Sequence, residues 1–344
     1  MSDVPSKKAI GFISHGSGSA SFNFDADEKG EYVLTFVFHK SMAKKKQYMQ
    51  IHINGKMYEI FFPETKGFSP LGRQQIIVEL KEGTNNMTIK NPVATAIDSS
   101  YIQYKRMGNA LKEASSMWAK VTHSEEKPIT YSICEWGMAR PYLWGAKAGS
   151  MWRTTPDIAP NWRSITMIYN RTLKLYKHSG PGHWNDPDML EVGNGKLDDN
   201  ENRAHFSLWC MLAAPLMLGN DIRSFVSNGM PDKDNETLKI VTNKHMIAVD
   251  QDSLGKSAKR IKKESGIDII ARPLSNGDVA LCLFNTASST KSVNFKLDDL
   301  TKDPYLGIEE APSGYELHDL WTDERTTGTT INATIPKHST VVYR

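Results

Sequence analysis

The chain has 344 residues, of which 39% are hydrophobic and 24% charged, a composition typical of a globular protein with two or three domains. Lysine and arginine number 42 against 39 aspartates and glutamates, and the longest basic cluster is Lys44-Lys45-Lys46, so a nucleic-acid partner is not expected. The longest nearly apolar run, 209–219, is far shorter than the roughly 20 residues of a membrane span, so no transmembrane helix is expected.

The N-terminus and the cysteines bear on the compartment of the protein. Met1–Ile10 lacks the apolar core of about 7 to 15 residues that a secretory signal needs, which predicts that the chain as written stays in the cytoplasm. Cys134, Cys210 and Cys282 lie far apart and show no paired spacing. We therefore expect buried thiols rather than a disulfide framework or a metal site.

Residues 8–102 have the pattern of an all-β domain. Asn54-Gly55 is a strong hairpin signal between apolar runs at 51–53 and 57–62. Further strands are predicted at 75–80 and 87–89, with a turn at 83–86 between them. Apolar residues recur at period two at Tyr32, Leu34, Phe36 and Phe38. We expect a compact β-sandwich.

Residues 103–255 change to alternating helices and strands. The repeat of apolar residues from Tyr104 predicts an amphipathic helix that ends before Thr122. A strand at Ile129–Ile133, a helix at Trp162–Tyr176 and an apolar element at Phe206–Leu218 follow. This alternation predicts a parallel α/β sheet.

Residues 256–344 return to alternating strands. Strands are predicted at 267–271, 279–284 and 340–343, and Ser275–Asp278 is a turn between the first two. We expect a second β-sandwich at this end of the chain.

The central segment combines tryptophans with carboxylates in three clusters, at 134–137, 152–157 and 184–189. Indole faces stack on the C–H face of a sugar, and glycosidic bond cleavage uses two carboxyl groups. Each cluster is expected just after a strand, where the strand ends of a (β/α) barrel converge on one pocket. Aspartates near prolines also cap turns, so Asp186 is expected to form a turn, and Arg153 could simply pair with Asp157.

Several stretches of the central segment resemble the successive signatures of glycoside hydrolase family 27, the α-galactosidase or melibiase family. The matching stretches are Tyr131–Gly137, Met151–Ile158, Gly180–Gly193, His205–Trp209, Ala214–Asp221 and Ile247–Asp252, in family order. The resemblance implies the second half of a (β/α)8 TIM barrel, about strands 5 to 8, flanked by two β-sandwich domains.

By this resemblance Asp157 is the general acid and base of a retaining exo-α-galactosidase that needs no cofactor or metal and hydrolyses galactose-containing oligo- or polysaccharides. The positions matching the family's sugar-binding residues are Cys134, Glu135, Trp136, Arg153, Asp188 and Met189. Activities on N-acetyl-α-galactosaminides and β-L-arabinopyranosides share the scaffold. The intact Cys134-Glu135-Trp136 favours galactose.

The resemblance breaks upstream of residue 104. Family members carry the nucleophilic aspartate in a Lys-Tyr-Asp or Lys-Phe-Asp strand, and that strand is missing; the lookalike Phe22–Asp25 is interpreted as strand end and turn. A full barrel takes about 250 residues, so 104–255 holds only half of one. We therefore expect a truncated or split gene product whose missing N-terminal barrel half covers the open edges.

Residues 8–102 are similar to carbohydrate-binding modules of family 35 or 6, which are inserted into the barrel of some family members. Tyr48, Tyr58 and Phe68 could form a stacking platform or belong to the core. The alternative function is therefore a non-catalytic carbohydrate-binding protein with an inert half barrel. Family members are commonly exported, so the full-length protein is expected outside the cytoplasm.

Overall fold

The computed structural model describes residues 19–38, 47–62, 72–90 and 98–344. The chain divides into two compact units, Met1–Lys127 and Pro128–Arg344. In the part of the chain that the structure describes, no helix is long and apolar enough to cross a bilayer.

The described residues of the first unit form six antiparallel strands and one long helix. The strands are β1 (Ser19–Ala26), β2 (Gly30–Phe38), β3 (Gln47–Ile53), β4 (Lys56–Phe62), β5 (Gly72–Leu80) and β6 (Gly83–Lys90), and the helix is α1 (Asp98–Thr122). One sheet has the order β1-β6-β3-β4, and the second pairs β2 with β5. Side chains of both sheets, including Ile51, Ile60, Val78 and Leu80, share one hydrophobic core.

Of the two turns predicted in this unit, one is confirmed by the structure and the other is wrong. Asn54 and Gly55 have φ of 48° and 84° and join β3 to β4, which confirms the predicted hairpin. The turn predicted at 83–86 is wrong, because these residues belong to β6. The Asn85 amide lies inside the bend and donates to the carbonyls of Lys81 and Gly83, both at 2.8 Å. These two bonds close a turn at residues 81–82, just before the predicted position.

Most of the described aromatic side chains of the first unit's strands are buried or partly buried in its core. Tyr48 is fully buried, and its hydroxyl donates to Glu59 at 2.7 Å. The Tyr101 hydroxyl of α1 donates to the same carboxylate at 3.0 Å. Burial raises the pKa of both tyrosines. Tyr48 is thus a core residue rather than part of a surface platform, and Phe68 lies outside the described residues.

The second unit begins with a small parallel sheet. Its strands are β7 (Ser132–Ile133), β8 (Met151–Arg153) and β9 (Trp184–Asp186), paired in chain order. The helices of this region are α2 (Trp162–Thr172), α3 (Asp199–Met211), α4 (Glu236–Val241) and α5 (Lys244–Asp250), and a short hairpin joins β10 (Val226–Ser227) to β11 (Met230–Pro231). The predicted parallel α/β arrangement is confirmed. The helix expected to reach Tyr176 ends at Thr172 and continues as a 3₁₀ turn.

Side-chain caps fix where these helices begin. Asn161, Asn235 and Asn243 each accept a backbone N–H in the first turn of α2, α4 and α5. Asp198 and Glu201 form a reciprocal capping box at α3. Such caps satisfy N–H groups that have no partner within the helix. Each cap typically stabilises the protein by about 1 kcal/mol.

The C-terminal part is the expected β-sandwich. Its strands are β12 (Lys259–Glu264), β13 (Ile267–Pro273), β14 (Val279–Asn285), β15 (Lys291–Lys296), β16 (Tyr315–His318), β17 (Arg325–Gly328), β18 (Thr330–Ile335) and β19 (Thr340–Tyr343). The main sheet has the order β12-β13-β14-β19, and β15 pairs with β18 and β16 with β17.

The strands β13 and β14 are buried along their whole length because both faces of their sheet are covered. On one face Ile270, Cys282 and Phe284 pack in a core with Trp209 and Met211 of α3. On the other face Ile269, Leu281 and Leu283 pack with Phe295 and Ile331. Cys210 and Cys282 are buried as predicted, whereas Cys134 is exposed. The expectation of a buried thiol is therefore wrong for Cys134, which follows a strand end.

A buried ionic network fixes α2 to the sandwich. Asp268 of β13 is fully buried, and its carboxylate accepts from Arg260 Nε at 2.6 Å and from the Tyr169 hydroxyl at 3.0 Å. Arg260 also donates to Asn170 at 2.9 Å. Arg260 and Tyr169 both lose this acceptor if Asp268 is removed or displaced, so this one side chain controls the packing of α2 on β13.

We expect Asp268→Ala to lower the free energy of unfolding by about 3–5 kcal/mol, because it leaves the Arg260 charge and the Tyr169 hydroxyl unpaired. Urea unfolding followed by circular dichroism measures this change. The control is Asp299→Ala, which removes an exposed ion pair with Lys302 and should change stability little. Equal losses in the two variants would contradict the role of Asp268.

Candidate active site

The three predicted clusters meet at one edge of the parallel sheet. Ile133 pairs with Trp152, and Arg153 pairs with Asp186, so the carboxyl ends of β7, β8 and β9 lie side by side. The residues that follow each strand carry Glu135, Asp157 and Asp188. This placement confirms the expectation that each acidic cluster comes directly after a strand.

Gly137 shows how closely the loop after β7 approaches β8. Its φ is 73°, and a Cβ atom added there would lie 2.1 Å from the carbonyl oxygen of Thr154. A larger residue therefore has no room. The neighbouring Trp136 also has positive φ, 53°, and 44% of its surface is exposed. The loop thus holds an indole open to solvent beside the end of β8.

The centre of the site is the Arg153 guanidinium. Arg153 is buried, with 8% of its surface exposed, and its Nη2 donates to Asp157 Oδ1 at 3.1 Å. The same nitrogen forms an ion pair with Asp188 Oδ2. One cation thus bridges a buried and an exposed carboxylate, since the Asp157 side chain is 68% exposed.

Hydrogen bonds fix both the carboxylate and the backbone of Asp188. Its Oδ2 accepts the N–H of Ile158 at 2.8 Å, and its Oδ1 accepts the N–H of Met189 at 2.8 Å. Its own N–H donates to Asp186 Oδ1 at 2.8 Å. Asp188 has φ of 85°, a conformation unfavourable for a residue with a side chain, and these bonds maintain it. The carboxylate therefore joins the loop after β9 to the loop that carries Asp157.

Asp186 has the turn-forming role expected of it. It is buried, and burial raises the pKa of its carboxyl, an effect that the Asp188 N–H and Arg153 partly offset. Its carboxylate accepts inside the protein rather than facing solvent.

Among the remaining candidates, Met189 follows Asp188 and donates its backbone N–H to that carboxylate. Glu135 is half-buried, Cys134 is exposed, and Met189 is 42% exposed beside Asp188. The structure thus joins Arg153, Asp157 and Asp188 by direct contact. It places Cys134, Glu135 and Trp136 on the adjacent strand end.

Two residues of α3 that carried no individual prediction support the Asp188 loop. The Trp209 indole N–H donates to the carbonyl of Asp188 at 2.8 Å, and His205 Nε2 accepts the N–H of Glu191 at 2.9 Å. Both side chains are fully buried and pack edge to face. The two residues are four positions apart, which places them on one face of a helix. This spacing is the sequence feature that could have identified them as a pair.

A cavity of about 310 Å³ lies at the opposite ends of these strands. Met151 and Trp184, the first residues of β8 and β9, line it together with Asp250. Burial raises the pKa of Asp250 to about 7. Because ligands of parallel α/β sheets bind at the carboxyl ends of the strands, we assign this cavity to the packing of the fold.

The comparisons with known proteins agree with this geometry. The family model described as "Alpha galactosidase A" matches residues 94–252, and the one described as "Alpha galactosidase C-terminal beta sandwich domain" matches residues 264–344. An α-galactosidase of Cyamopsis tetragonoloba is 36% identical over 249 residues, which are 71% of this chain and 57% of that protein. An α-galactosidase of Oryza sativa subsp. japonica is 41% identical over 186 residues, 54% of this chain and 40% of that protein.

Solved structures of α-galactosidases also resemble this chain. α-Galactosidase I of Mortierella vinacea superposes with a TM-score of 0.60 at 28% identity, covering 71% of this chain and 62% of that one. α-Galactosidase of Saccharomyces cerevisiae gives a TM-score of 0.57 at 25% identity, covering 71% and 67%.

The catalytic-domain and sandwich matches together define a chain of the glycoside hydrolase class, with a catalytic domain and a C-terminal β-sandwich domain. The two family models cover more than half of the chain in family order, and the chain belongs to the α-galactosidase family, glycoside hydrolase family 27. It spans about half the length of the curated relatives it matches, between 40% and 57% for the first three.

His205 should make stability depend on pH. Burial lowers the pKa of this histidine from 6.5 to about 3, so the folded state binds fewer protons than the unfolded state between these values. Stability from this group is fully present above pH 6.5 and is lost as the pH falls toward 3. Urea unfolding from pH 7 to 4 should show this slope.

The control is His205→Gln, whose amide oxygen can take the place of Nε2 as acceptor for Glu191 but does not titrate. It should be less stable than the parent at pH 7 and should flatten the slope. An unchanged slope in the variant would show that other groups cause the pH dependence.

Proposed function

We propose that this chain contributes the acid–base half of a retaining exo-α-galactosidase, with Asp157 as general acid and base. The observation that carries the proposal is the bridge formed by Arg153. It holds an exposed carboxylate at the carboxyl end of a parallel strand while its own charge is balanced by buried Asp188. A catalytic carboxyl needs both this accessibility and a fixed position.

In a retaining reaction Asp157 protonates the glycosidic oxygen as the nucleophile attacks the anomeric carbon, which forms a covalent galactosyl intermediate. The resulting Asp157 carboxylate then takes a proton from water, which attacks the same carbon and releases galactose. The loop clamp formed by Arg153 and Asp188 keeps Asp157 in place through both steps. Trp136 offers an exposed indole face to the sugar, and half-buried Glu135 is suited to accept a hydrogen bond from a hydroxyl.

The nucleophile must come from elsewhere in our proposal. Retaining enzymes place it about 5–5.5 Å from the acid–base carboxyl. Among the described residues Asp188 is the carboxylate that shares Arg153 with Asp157, but its oxygens already accept from Arg153, Ile158 and Met189. Asp25 of the lookalike segment lies within β1 and accepts from Thr84. We therefore infer that a segment outside these 344 residues supplies the nucleophile.

The surface near the strand ends supports such a partner segment. Exposed large apolar side chains lie in the segments that follow β7, β9 and α3, namely Trp136, Met138, Leu143, Met189, Met217 and Leu218. Exposed apolar surface of this kind marks an interaction site. We propose that the region from β7 to Leu218 is about strands 5 to 8 of a (β/α)8 barrel and that the other barrel half covers this surface.

The substrate in this proposal is a terminal α-galactosyl residue of an oligo- or polysaccharide. Cys134, Glu135 and Trp136 are bulky or charged, and they leave little room for the acetamido group of an N-acetylgalactosaminide. A β-L-arabinopyranosidase of this family shares the fold, at 22% identity and a TM-score of 0.54. For the first unit we propose a carbohydrate-binding module of the family 35 or 6 type, since its two antiparallel sheets share one core.

The test is nitrophenol release from an aryl α-galactoside, with the chain alone and with the polypeptide encoded directly upstream co-expressed. Turnover that needs the co-expressed segment and disappears in Asp157→Asn is the expected result. The matched control Asp278→Asn alters another arginine-paired carboxylate, on the sandwich, and should keep activity. Turnover by the chain alone would overturn the proposal that another segment supplies the nucleophile. Saturable galactose binding without turnover under all conditions would favour the non-catalytic alternative.

Arg153→Lys tests the clamp itself. A lysine presents a point charge and cannot hold Asp157 and Asp188 with one planar group. We expect kcat/KM of the active complex to fall about 100-fold, because a misplacement of about 1 Å has this effect. The measurement is steady-state kinetics on the aryl α-galactoside, with the unfolding midpoint recorded in parallel. Unchanged kinetics in a folded variant would contradict the positioning role.

A further inference from the structure

Two histidines and an aspartate of the second unit converge where α5 meets the hairpin of β16 and β17. His318 Nε2 donates to Asp323 Oδ1 at 2.6 Å, and His245 Nε2 lies 3.3 Å from the same oxygen. One potential ligand atom from each residue lies within 4.8 Å of the others. The group belongs to elements separate from the strand ends that carry Asp157.

The backbone around each of the three residues is fixed independently. The Asn243 cap accepts the N–H of His245 at 3.0 Å and donates to the Leu320 carbonyl at 3.0 Å. His318 exchanges two backbone hydrogen bonds with Arg344, at 2.8 and 2.9 Å. The N–H of Asp323 donates to the Asp319 carbonyl at 3.0 Å. The backbone of all three residues is therefore in place before any ion arrives, which favours binding.

The spacing fits a tetrahedral first-row metal. Bonds of about 2.0–2.1 Å to imidazole nitrogen and carboxylate oxygen give ligand–ligand separations of about 3.3 Å in a tetrahedron. The separation between His245 Nε2 and Asp323 Oδ1 has this value, 3.3 Å. The contact between His318 and Asp323 is shorter, and the Asp323 side chain is 61% exposed, so it can move outward as an ion enters.

A cavity beside the cluster provides a fourth ligand position. It has a volume of about 200 Å³, and both His245 and His318 line it. Asp252, Ser275 and Arg344 form part of its polar wall. A water molecule therefore has both space and hydrogen-bond partners next to the two imidazoles.

We propose that His245, His318 and Asp323 bind a divalent zinc ion with water as the fourth ligand. Imidazole and carboxylate ligands in a tetrahedral set suit zinc, and three protein ligands leave one position open. When the ion binds, the neutral His318 ring shifts its proton from Nε2 to Nδ1, and Nε2 coordinates the metal. The ion ties the helix α5 to the sandwich hairpin and thereby stabilises their contact.

The test is titration of the full chain with zinc chloride by isothermal titration calorimetry. We expect one ion per chain and an affinity that falls at least about 100-fold in His245→Gln and in His318→Gln, since even residues that only support metal ligands contribute 10–100-fold. Substitution with cobalt should give the visible d–d absorption of a tetrahedral site in the parent and not in these variants. Zinc should also raise the unfolding temperature of the parent but not of these two variants.

The matched control is His338→Gln. His338 contacts Glu201 at 2.7 Å, and among the described residues this pair belongs to no group of three potential ligands, so its loss should leave zinc affinity unchanged. If that variant does not fold, exposed His123→Gln replaces it. Absence of one-to-one binding to the parent, or equal affinity in His245→Gln and His318→Gln, would overturn the proposal.

Discussion

The arrangement of the candidate site depends on the need to neutralise the buried Arg153 guanidinium. A buried cation without a partner costs several kcal/mol, so Arg153 requires a carboxylate inside the protein. Asp188 provides it, and its remaining acceptor capacity holds the backbone of the loops after β8 and β9. The guanidinium nitrogen that binds Asp188 also reaches Asp157 at the surface. Charge balance in the interior thus determines where the solvent-facing carboxylate stands.

The support for this ion pair extends through α3 into the C-terminal sandwich. Trp209 and His205 on one face of α3 hold the Asp188 loop, and other α3 side chains pack on the main sheet of the sandwich. Arg272 of β13 donates to the Cys210 carbonyl at 2.8 Å and joins the same two layers. The sandwich therefore contributes to the geometry of the site although it supplies none of the candidate residues.

Much of this organisation could be predicted from the sequence. The Asn54-Gly55 turn, the strand alternation and the position of each carboxylate cluster follow from local rules, and the family resemblance selected Arg153, Asp157 and Asp188. The turn at 83–86 was predicted wrongly, because Asn85 lies in β6, where it bonds to Asn54 of the neighbouring hairpin and to the Lys81 carbonyl. The burial of Cys134 was predicted wrongly, because this residue follows a strand end and is exposed. The distances within the bridge, and the convergence of His245 with His318 and Asp323, depend on long-range packing that no local pattern encodes.

The most direct test of the account compares leaving groups in the active complex with Asp157→Ala. If Asp157 donates the proton to the leaving oxygen, the variant should keep most of its first-step rate on dinitrophenyl α-galactoside, whose leaving group needs no protonation. The same variant should lose most of its rate on an unactivated α-galactoside. Equal losses on both substrates would contradict the assignment of Asp157 as the general acid.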